Sequence, residues 1–564
     1  MKAPGKRSPE ENLAFLLYLL GLIAQPVMSF VFWSRTWDDC AITLGFARSF
    51  ALGGKIEPTP GSGIVEGYST TLWMLLMAAV ARISANPYWL LGVAKISTML
   101  LNVLNVVLVR RFVARYQPAA LAWLIAGAFG LQNITIYESI NGMEGPLSLA
   151  LFLLVVINLR RDGWRPSVTF CAAGALFLLT RWEAAWLLVP LLVLERPFKT
   201  MIAAAITWAA VFLGSNFVRW RYFGSVLPNT IIAKSGPPYS HVSPRGEFSR
   251  HIAGATLAAR ALFPFILVLA VLMLFNQAEI VSRLRRLART LRSTSVLALL
   301  DRCLDLALSL SLLVFGGVLA VAVGVNWGPP NRELFTVWPI LLYLILFPAW
   351  KLASWKHRSW QFPLAVLVIM LGSMGVLSKD LARADAPVYM PYTTVNNTAH
   401  IVPAIDRVRT AASQPDLLFA GPDMGGLILY ANHVRIIDTA LLLDPTLART
   451  RYAGFRHYIF DLRRPDILES HAAWTELPDL VHDQQLYDAY QVLYVGDYRF
   501  FIARQLLSEI PGNRLIHGRF DANGRPEFDR STGMGPRGDL LPDNQINRRF
   551  GHYFVLREDP APSS

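Results

Sequence analysis

The chain has 564 residues, with 53 Lys+Arg against 39 Asp+Glu for a formal net charge of +14; 54% of residues are hydrophobic and 16% charged. With a mean hydropathy of +0.38 it is too apolar for an ordinary soluble protein and long enough for a membrane domain plus a second domain. The basic excess is therefore read as cytoplasmic loops of a polytopic membrane protein, and nucleic-acid binding is set aside.

A hydrocarbon core of about 30 Å takes roughly 20 apolar residues per helix, and fewer where a helix is buried among others. On that basis about eleven spans are expected, the first over residues 13–33 with the N-terminus inside. Lys2, Lys6 and Arg7 before the apolar run resemble a signal peptide, but no small-residue cleavage site follows and further spans do, so a retained helix is expected. Residues 70–83 are taken as an interfacial or re-entrant helix, because that keeps Arg110, Arg111 and Arg115 inside after the span 88–109. Alternating spans follow at 119–137, 147–159, 168–179, 185–194, 201–218, 261–275, 304–325, 334–350 and 361–377. Arg160, Arg161, Arg165, Arg196, Lys199 and the dense run Arg283 to Arg292 mark their inner ends. Several are short for a lone span and need a helix bundle around them.

From about 378 the apolar runs end, and residues 378–564 are expected to form a soluble α/β or α+β domain outside the membrane, after a membrane domain of 1–377. Short strands are expected at 417–420, 434–437 and 491–495, with Gly425-Gly426 turning into a helix. Residues 531–547 read as a loop before a last strand near 552–556. Cys40, Cys171 and Cys303 lie in or beside apolar segments, which suggests neither a disulfide framework nor a cysteine metal site.

With this topology the outward loops collect Asp38, Asp39, Arg48 and Glu66 in the first (34–87), then Glu138, Asn141 and Glu144, Arg181 and Glu183, Arg219, Arg221, Asn229 and Lys234, and finally Asn331, Arg332 and Glu333. Carboxylates there can act as general bases and cations can hold a phosphate. Each has a plainer reading. Asp38-Asp39 can cap a helix, Arg181 and Glu183 can pair across a helix break, and Glu144 can sit at the water interface. Lys234 and Arg332 can reach lipid headgroups, and for Arg219 and Arg221 headgroup or packing contacts are favoured.

Taken together the stretches resemble the glycosyltransferase C superfamily, and within it AftB-type bacterial arabinofuranosyltransferases and relatives that glycosylate type IV pilin. The likeness is carried by Asp38-Asp39-Cys40-Ala41-Ile42-Thr43-Leu44-Gly45-Phe46-Ala47-Arg48, by Glu66-Gly67-Tyr68 with Leu72-Trp73, and by Asn141-Gly142-Met143-Glu144. It continues in Thr180-Arg181-Trp182-Glu183 and, most specifically, in Tyr222-Phe223-Gly224-Ser225-Val226-Leu227-Pro228-Asn229-Thr230 with Lys234. Trp182 departs from the family's usual Pro; Gly425-Gly426 and Asp438 resemble features of the family's outer domain.

The resemblance implies a mainly α, polytopic helix bundle of the glycosyltransferase C type in a bacterial cytoplasmic membrane, with an extracytoplasmic α/β domain. It implies transfer of a sugar, D-arabinofuranose in the closest likeness, from a polyprenyl phosphate to a cell-envelope glycan or pilin. Asp38 would be the base and Asp39 its partner; Arg48, Glu66, Tyr68, Glu144, Arg181, Glu183, Asn229, Lys234 and Arg332 would bind donor phosphate or sugar. A magnesium, manganese or calcium ion suits an oxygen-rich pair, although nothing in the sequence demands one and no metal ligands are assigned. The alternatives are a lipid or ion transporter, whose polar residues should lie mid-span on several helices, and a membrane-anchored scaffold.

Overall fold

A computed structural model describes residues 7–159, 167–181, 184–194, 198–235, 262–282, 285, 335–354, 360–382, 395–471, 473–527 and 541–557. Helix α1 (Pro9–Val31) starts at a reciprocal cap in which Ser8 Oγ accepts from Glu11 N at 3.2 Å and Ser8 N donates to the Glu11 carboxylate at 2.9 Å. At 1.5 Å per residue its 23 residues are long enough for a bilayer core. Ala14, Leu17, Gly21, Ala24 and Met28 make its buried stripe, while Leu16, Ile23, Val27 and Phe30 are exposed on the other side.

That stripe packs on α5 (Ala119–Gly130) at unusually close range. A Cβ on Gly127 would come within 2.5 Å of the Leu17 carbonyl carbon, and one on Gly130 within 2.8 Å of Gly21 Cα. Small residues at the crossing are what let two membrane helices approach backbone to backbone. A short break then bends α5 by 56° into α6 (Asn133–Ile140).

Five described helices are long and apolar enough to cross a membrane: α1, α4 (Pro87–Ala114), α10 (Phe198–Phe223), Phe335–Ser354 and Gln361–Lys379. The bent pair α5 and α6 makes a sixth if it is one span. The chain is thus a multi-pass membrane protein by length and composition. Four other expected spans are shorter than a lone crossing needs: α7 (Gly145–Asn158), α8 (Val168–Thr180), α9 (Ala184–Leu194) and Leu262–Phe275. The expected span 304–325 lies outside the described residues. Helix Gln361–Ala382 runs past the expected domain boundary at 377.

The loop between α1 and α4 is itself folded, as α2 (Asp38–Gly53) and α3 (Thr71–Ile83). Gly54 at φ +69° ends α2, its N–H bonding Phe50 O at 2.9 Å. The 13 residues of α3 are too few to cross alone, and Trp73, Met74, Met77 and Ala81 are buried. An interfacial or re-entrant placement agrees with this length.

The C-terminal domain holds seven strands, β1 (Leu417–Gly421), β2 (Val434–Asp438), β3 (Ile467–Leu468), β4 (Tyr490–Val495), β5 (Tyr498–Ala503), β6 (Leu515–Arg519) and β7 (His552–Leu556), in the order β2-β1-β3-β5-β4-β7-β6. β1 is parallel to β2 and β3, while β3–β5, β4–β5 and β6–β7 are antiparallel. The four strands expected from sequence are present. Residues 541–550 form a helix where a loop was expected, Ile546 supplying its buried anchor.

Alternation along the strands builds two cores. Leu418, Ala420, Ile437, Phe501 and Val555 face one, with Tyr458 and Leu447. Leu417, Phe419, Ile436, Phe500 and Ile502 face the other, whose remaining members include Trp37, Phe46, Tyr68 and Trp73 of the first loop. Residues of the first loop and of the C-terminal sheet thus share one core.

Candidate active site

Asp38 is the first residue of α2 and 8% exposed, but its carboxylate does not cap its own helix. Oδ1 accepts from Gly426 N at 2.9 Å and from the Thr398 hydroxyl, and Oδ2 from Gly425 N at 3.1 Å. The plainer expectation of a helix cap is therefore met at another helix, the short one at Gly425–Tyr430. Burial raises the Asp38 carboxyl to about 7, with Asp39 and Asp423 adding to the rise and Thr398 and Gly426 opposing it. The closeness needs glycine. A Cβ on Gly425 would fall 2.3 Å from Asp38 Oδ1 and one on Gly426 2.3 Å from Thr398 Oγ1.

One residue further, Asp39 is half-buried, and Cys40 is fixed against the next part of the site. Cys40 Sγ lies 3.3 Å from Gly142 O, which also accepts from Trp73 Nε1 at 3.2 Å. Gly142 has φ +76° and a Cβ there would sit 2.9 Å from Cys40 Sγ and 3.3 Å from Lys95 Cγ, so this turn too requires glycine. The start of α2, the first turn of α3, the part of α4 around Lys95 and the turn bearing Glu144 thus converge on Gly142.

Glu144, wholly buried, bonds Arg181 at 2.9 Å. Arg181 was expected either to bind donor or to pair with Glu183; the observed partner is Glu144, and Glu183 lies outside the described residues. Beside the same turn Asn141 Nδ2 donates to Glu138 Oε2 at 3.1 Å, and a Cβ on Gly145 would meet Glu138 at 2.2 Å.

Lys95 escaped the sequence reading. Its amine, 1% exposed, donates to Trp33 O and to Thr36 Oγ1 at 2.6 Å and sits 4.3 Å from the centre of the Trp33 ring. The available signal was the one charged side chain in the expected span 88–109.

Glu66 pairs with Arg219, whose Nε is 3.0 Å from both carboxylate oxygens; Arg219 Nη2 adds Thr71 Oγ1 at 3.2 Å. For Arg219 a headgroup or packing contact was expected; it is the buried partner of Glu66, because an uncompensated carboxylate 3% exposed would be costly. Burial raises Glu66 while Arg219 opposes the rise, and burial beside Glu66 raises Tyr68 well above its ordinary value. Tyr68 packs edge-on against Phe46.

Two further expected site residues fasten chain segments together. Arg48 donates to Ala85 O at 3.0 Å, Leu429 O at 3.3 Å, Ala431 O at 3.2 Å and Asn432 Oδ1 at 2.6 Å. Asn229, opening α11 (Asn229–Lys234), donates through its amide to Leu441 O and Leu442 O, and through its backbone to Glu66 O. Lys234 ends that helix, half-buried, where Arg451 binds the Ile232 and Ala233 carbonyls. Arg332 lies outside the described residues.

At Asp38, Oδ1 accepts from two donors and Oδ2 from one. Among the described residues, no group of three His, Cys, Asp or Glu is placed to hold a metal.

Polar side chains also run mid-bundle, as the transporter alternative requires. Gln25 binds Gly130 O, Asn102 Thr135 O at 2.8 Å, Thr98 Ser139 O at 3.2 Å and Asn105 Pro146 O at 2.9 Å. These four acceptors lie along α5 to α7 around the bend, where freed carbonyls need partners in hydrocarbon. The four donors are neutral, which accounts for the seam without a transport route.

No protein-family model matches the chain, and no curated protein does. Among solved structures it is similar to ArnT from Cupriavidus metallidurans in the apo state, at 13% identity over 86% of this chain and 97% of that one, with a TM-score of 0.47. It is also similar to ArnT from the same organism bound to undecaprenyl phosphate, at 12% identity over 86% and 98%, with a TM-score of 0.44. Likenesses of this size leave the function to the residues themselves.

Proposed function

We propose that the chain is a glycosyltransferase of the glycosyltransferase C type, moving a sugar from a polyprenyl phosphate to a hydroxyl acceptor at the outer face of a bacterial cytoplasmic membrane. The arrangement assigned to it has about eleven spans, the N-terminus inside and the C-terminal domain outside. The observation that carries the reading is the convergence of Cys40, Trp73 and Lys95 on Gly142, which brings the Asp38-Asp39 helix start beside Glu144, the buried Lys95 and the half-buried Arg181.

The chemistry follows from that set. As the bond from the anomeric carbon to phosphate breaks, charge grows on the phosphate, and cations withdrawn from water stabilise it more than they would in bulk. The acceptor hydroxyl loses its proton as it attacks the oxocarbenium-like carbon. Asp38 suits the base, since a carboxyl raised to about 7 can take up that proton near neutral pH. Its Oδ2 bonds Gly425 N alone among the described residues, leaving a lone pair. Asp39 is assigned to orient the acceptor or sugar. D-Arabinofuranose is the proposed sugar, and a cell-envelope glycan or pilin the proposed acceptor, both on the motif resemblance.

The test is transfer from synthetic polyprenyl-phosphate arabinofuranose to a panel of glycan acceptors, by purified wild type, Asp38→Asn and Asp39→Asn. The expected result is a loss of about 10²–10⁴-fold in Asp38→Asn with donor binding retained. Undiminished transfer in both variants removes the pair from catalysis, and absence of donor binding removes this donor.

A further inference from the structure

Away from the Asp38 end of α2, the first loop and the C-terminal domain enclose a cavity of about 430 Å³. That lies in the range of small-molecule sites. Its walls are α2 around Arg48 and Ser49, the turn at Pro58-Thr59-Pro60, the helix Ile401–Ala411 and the segment 431–434 before and into β2. Arg48 is ten residues beyond Asp38, about 15 Å along the helix.

The charges in the wall balance. Arg48 and Arg409 face Asp406 and Asp416, with His433 3.3 Å from Asp416. A phosphate or a carboxylated ligand would meet two carboxylates there, which disfavours an anion. The polar groups are also mixed in kind. Arg48 takes Asn432 Oδ1, so the Asn432 amide nitrogen is the half left to donate. Arg409 uses Nε on Asp406 and Nη1 on Gln414 O, leaving Nη2, and Asp406 and Asp416 each keep an accepting oxygen. Between these groups Leu52, Pro58, Pro60 and Ile428 supply rigid apolar faces.

Alternating donors and acceptors, no net charge and flat apolar faces are complementary to a sugar ring, which offers hydroxyls at its rim and C–H groups on its faces. We propose that this cavity is a subsite for the neutral sugar units of an extended glycan acceptor, held away from the unit that receives the new sugar. It rests on the glycosyl-transfer reading only for the word acceptor; the ligand class rests on the cavity.

The test uses the purified full chain in nanodiscs with no donor present. Calorimetry reads the affinity of linear octasaccharides of arabinofuranose, mannose, glucose and galacturonic acid, for wild type and for Asp406→Asn/Arg409→Gln, a half-buried pair one helical turn apart whose joint replacement by neutral residues of similar size should leave the melting temperature in place. The expected result is binding of at least one neutral octasaccharide, weaker binding of galacturonate, and a rise in Kd of about tenfold in the double variant. With donor added, the double variant should raise KM for that octasaccharide and leave kcat unchanged. Unchanged affinity in the double variant, failure of every neutral octasaccharide to bind, or preference for galacturonate overturns the subsite. Weakened binding in the variant with no transfer by wild type keeps the subsite and removes the transferase reading.

Discussion

The N–H of Gly426 donates to Asp38 Oδ1 at 2.9 Å, joining residues 388 positions apart in the chain. Through this bond, and those from Gly425 and Thr398, the C-terminal domain holds the first turn of α2. Gly425→Ala should separate the two, because the added Cβ would fall 2.3 Å from Asp38 Oδ1. The expected cost is about 1–3 kcal/mol, seen as a lower melting temperature and faster proteolysis within residues 400–520. An alanine variant that melts and cleaves like wild type would show that the contact does not hold the domain.

Asp38 also sets a pH dependence. Its carboxyl titrates near 7 in the folded chain and near 3.8 as an ordinary carboxylate, so between these values the folded state binds the extra proton. The Asp38 contribution is therefore fully present below about pH 4 and lost as pH rises through 7. Unfolding midpoints of wild type relative to Asp38→Asn should fall from pH 4 to 7 and level off above that. A difference that stays flat, or rises, contradicts the burial argument.

Glu66 and Arg219 should behave as a buried pair. Arg219→Leu leaves a buried carboxylate uncompensated, at a cost of about 3–5 kcal/mol, whereas Glu66→Leu/Arg219→Leu should cost less than that single change. Apparent melting temperatures of wild type, both single variants and the double variant check the order. Additive losses would mean that the two side chains do not depend on each other.

The α1–α5 crossing gives a test of the bundle. Gly127→Leu cannot be accommodated by a side-chain rotation, since the first added atom already meets the Leu17 backbone at 2.5 Å. Purified protein should lose monodispersity or melt lower, while Gly214→Leu, with open space around its Cβ position, serves as the matched control. Equal behaviour of the two variants would exclude close helix contact.

Much was legible from residue order because it follows from local chemistry. Hydropathy located α1, α4, α10 and the two long helices after 335, and apolar runs bounded by turn residues located β1, β2, β4 and β7. The strands β3, of two residues, and β5 and β6 were missed; their pairing partners are set by the sheet and not by their own pattern. The helix at 541–550 was missed too, since its mostly polar sequence is anchored through Ile546.

The candidate site divides in the same way. Residue types and their spacing along the chain singled out Asp38, Glu66, Glu144 and Arg181, because charges at the ends of apolar segments stand out in one dimension. Their partners are products of the tertiary structure alone. Arg181 meets Glu144 across 37 positions, Arg219 meets Glu66 across 153, and Asp38 meets a helix start in the C-terminal domain. A buried charge takes whichever opposite charge or donor the packed backbone brings within 3 Å, and chain separation does not enter that energy. Composition and periodicity thus determined a membrane bundle with an α/β domain, while the shared core of first loop and sheet decided which groups meet and where the cavity between them lies.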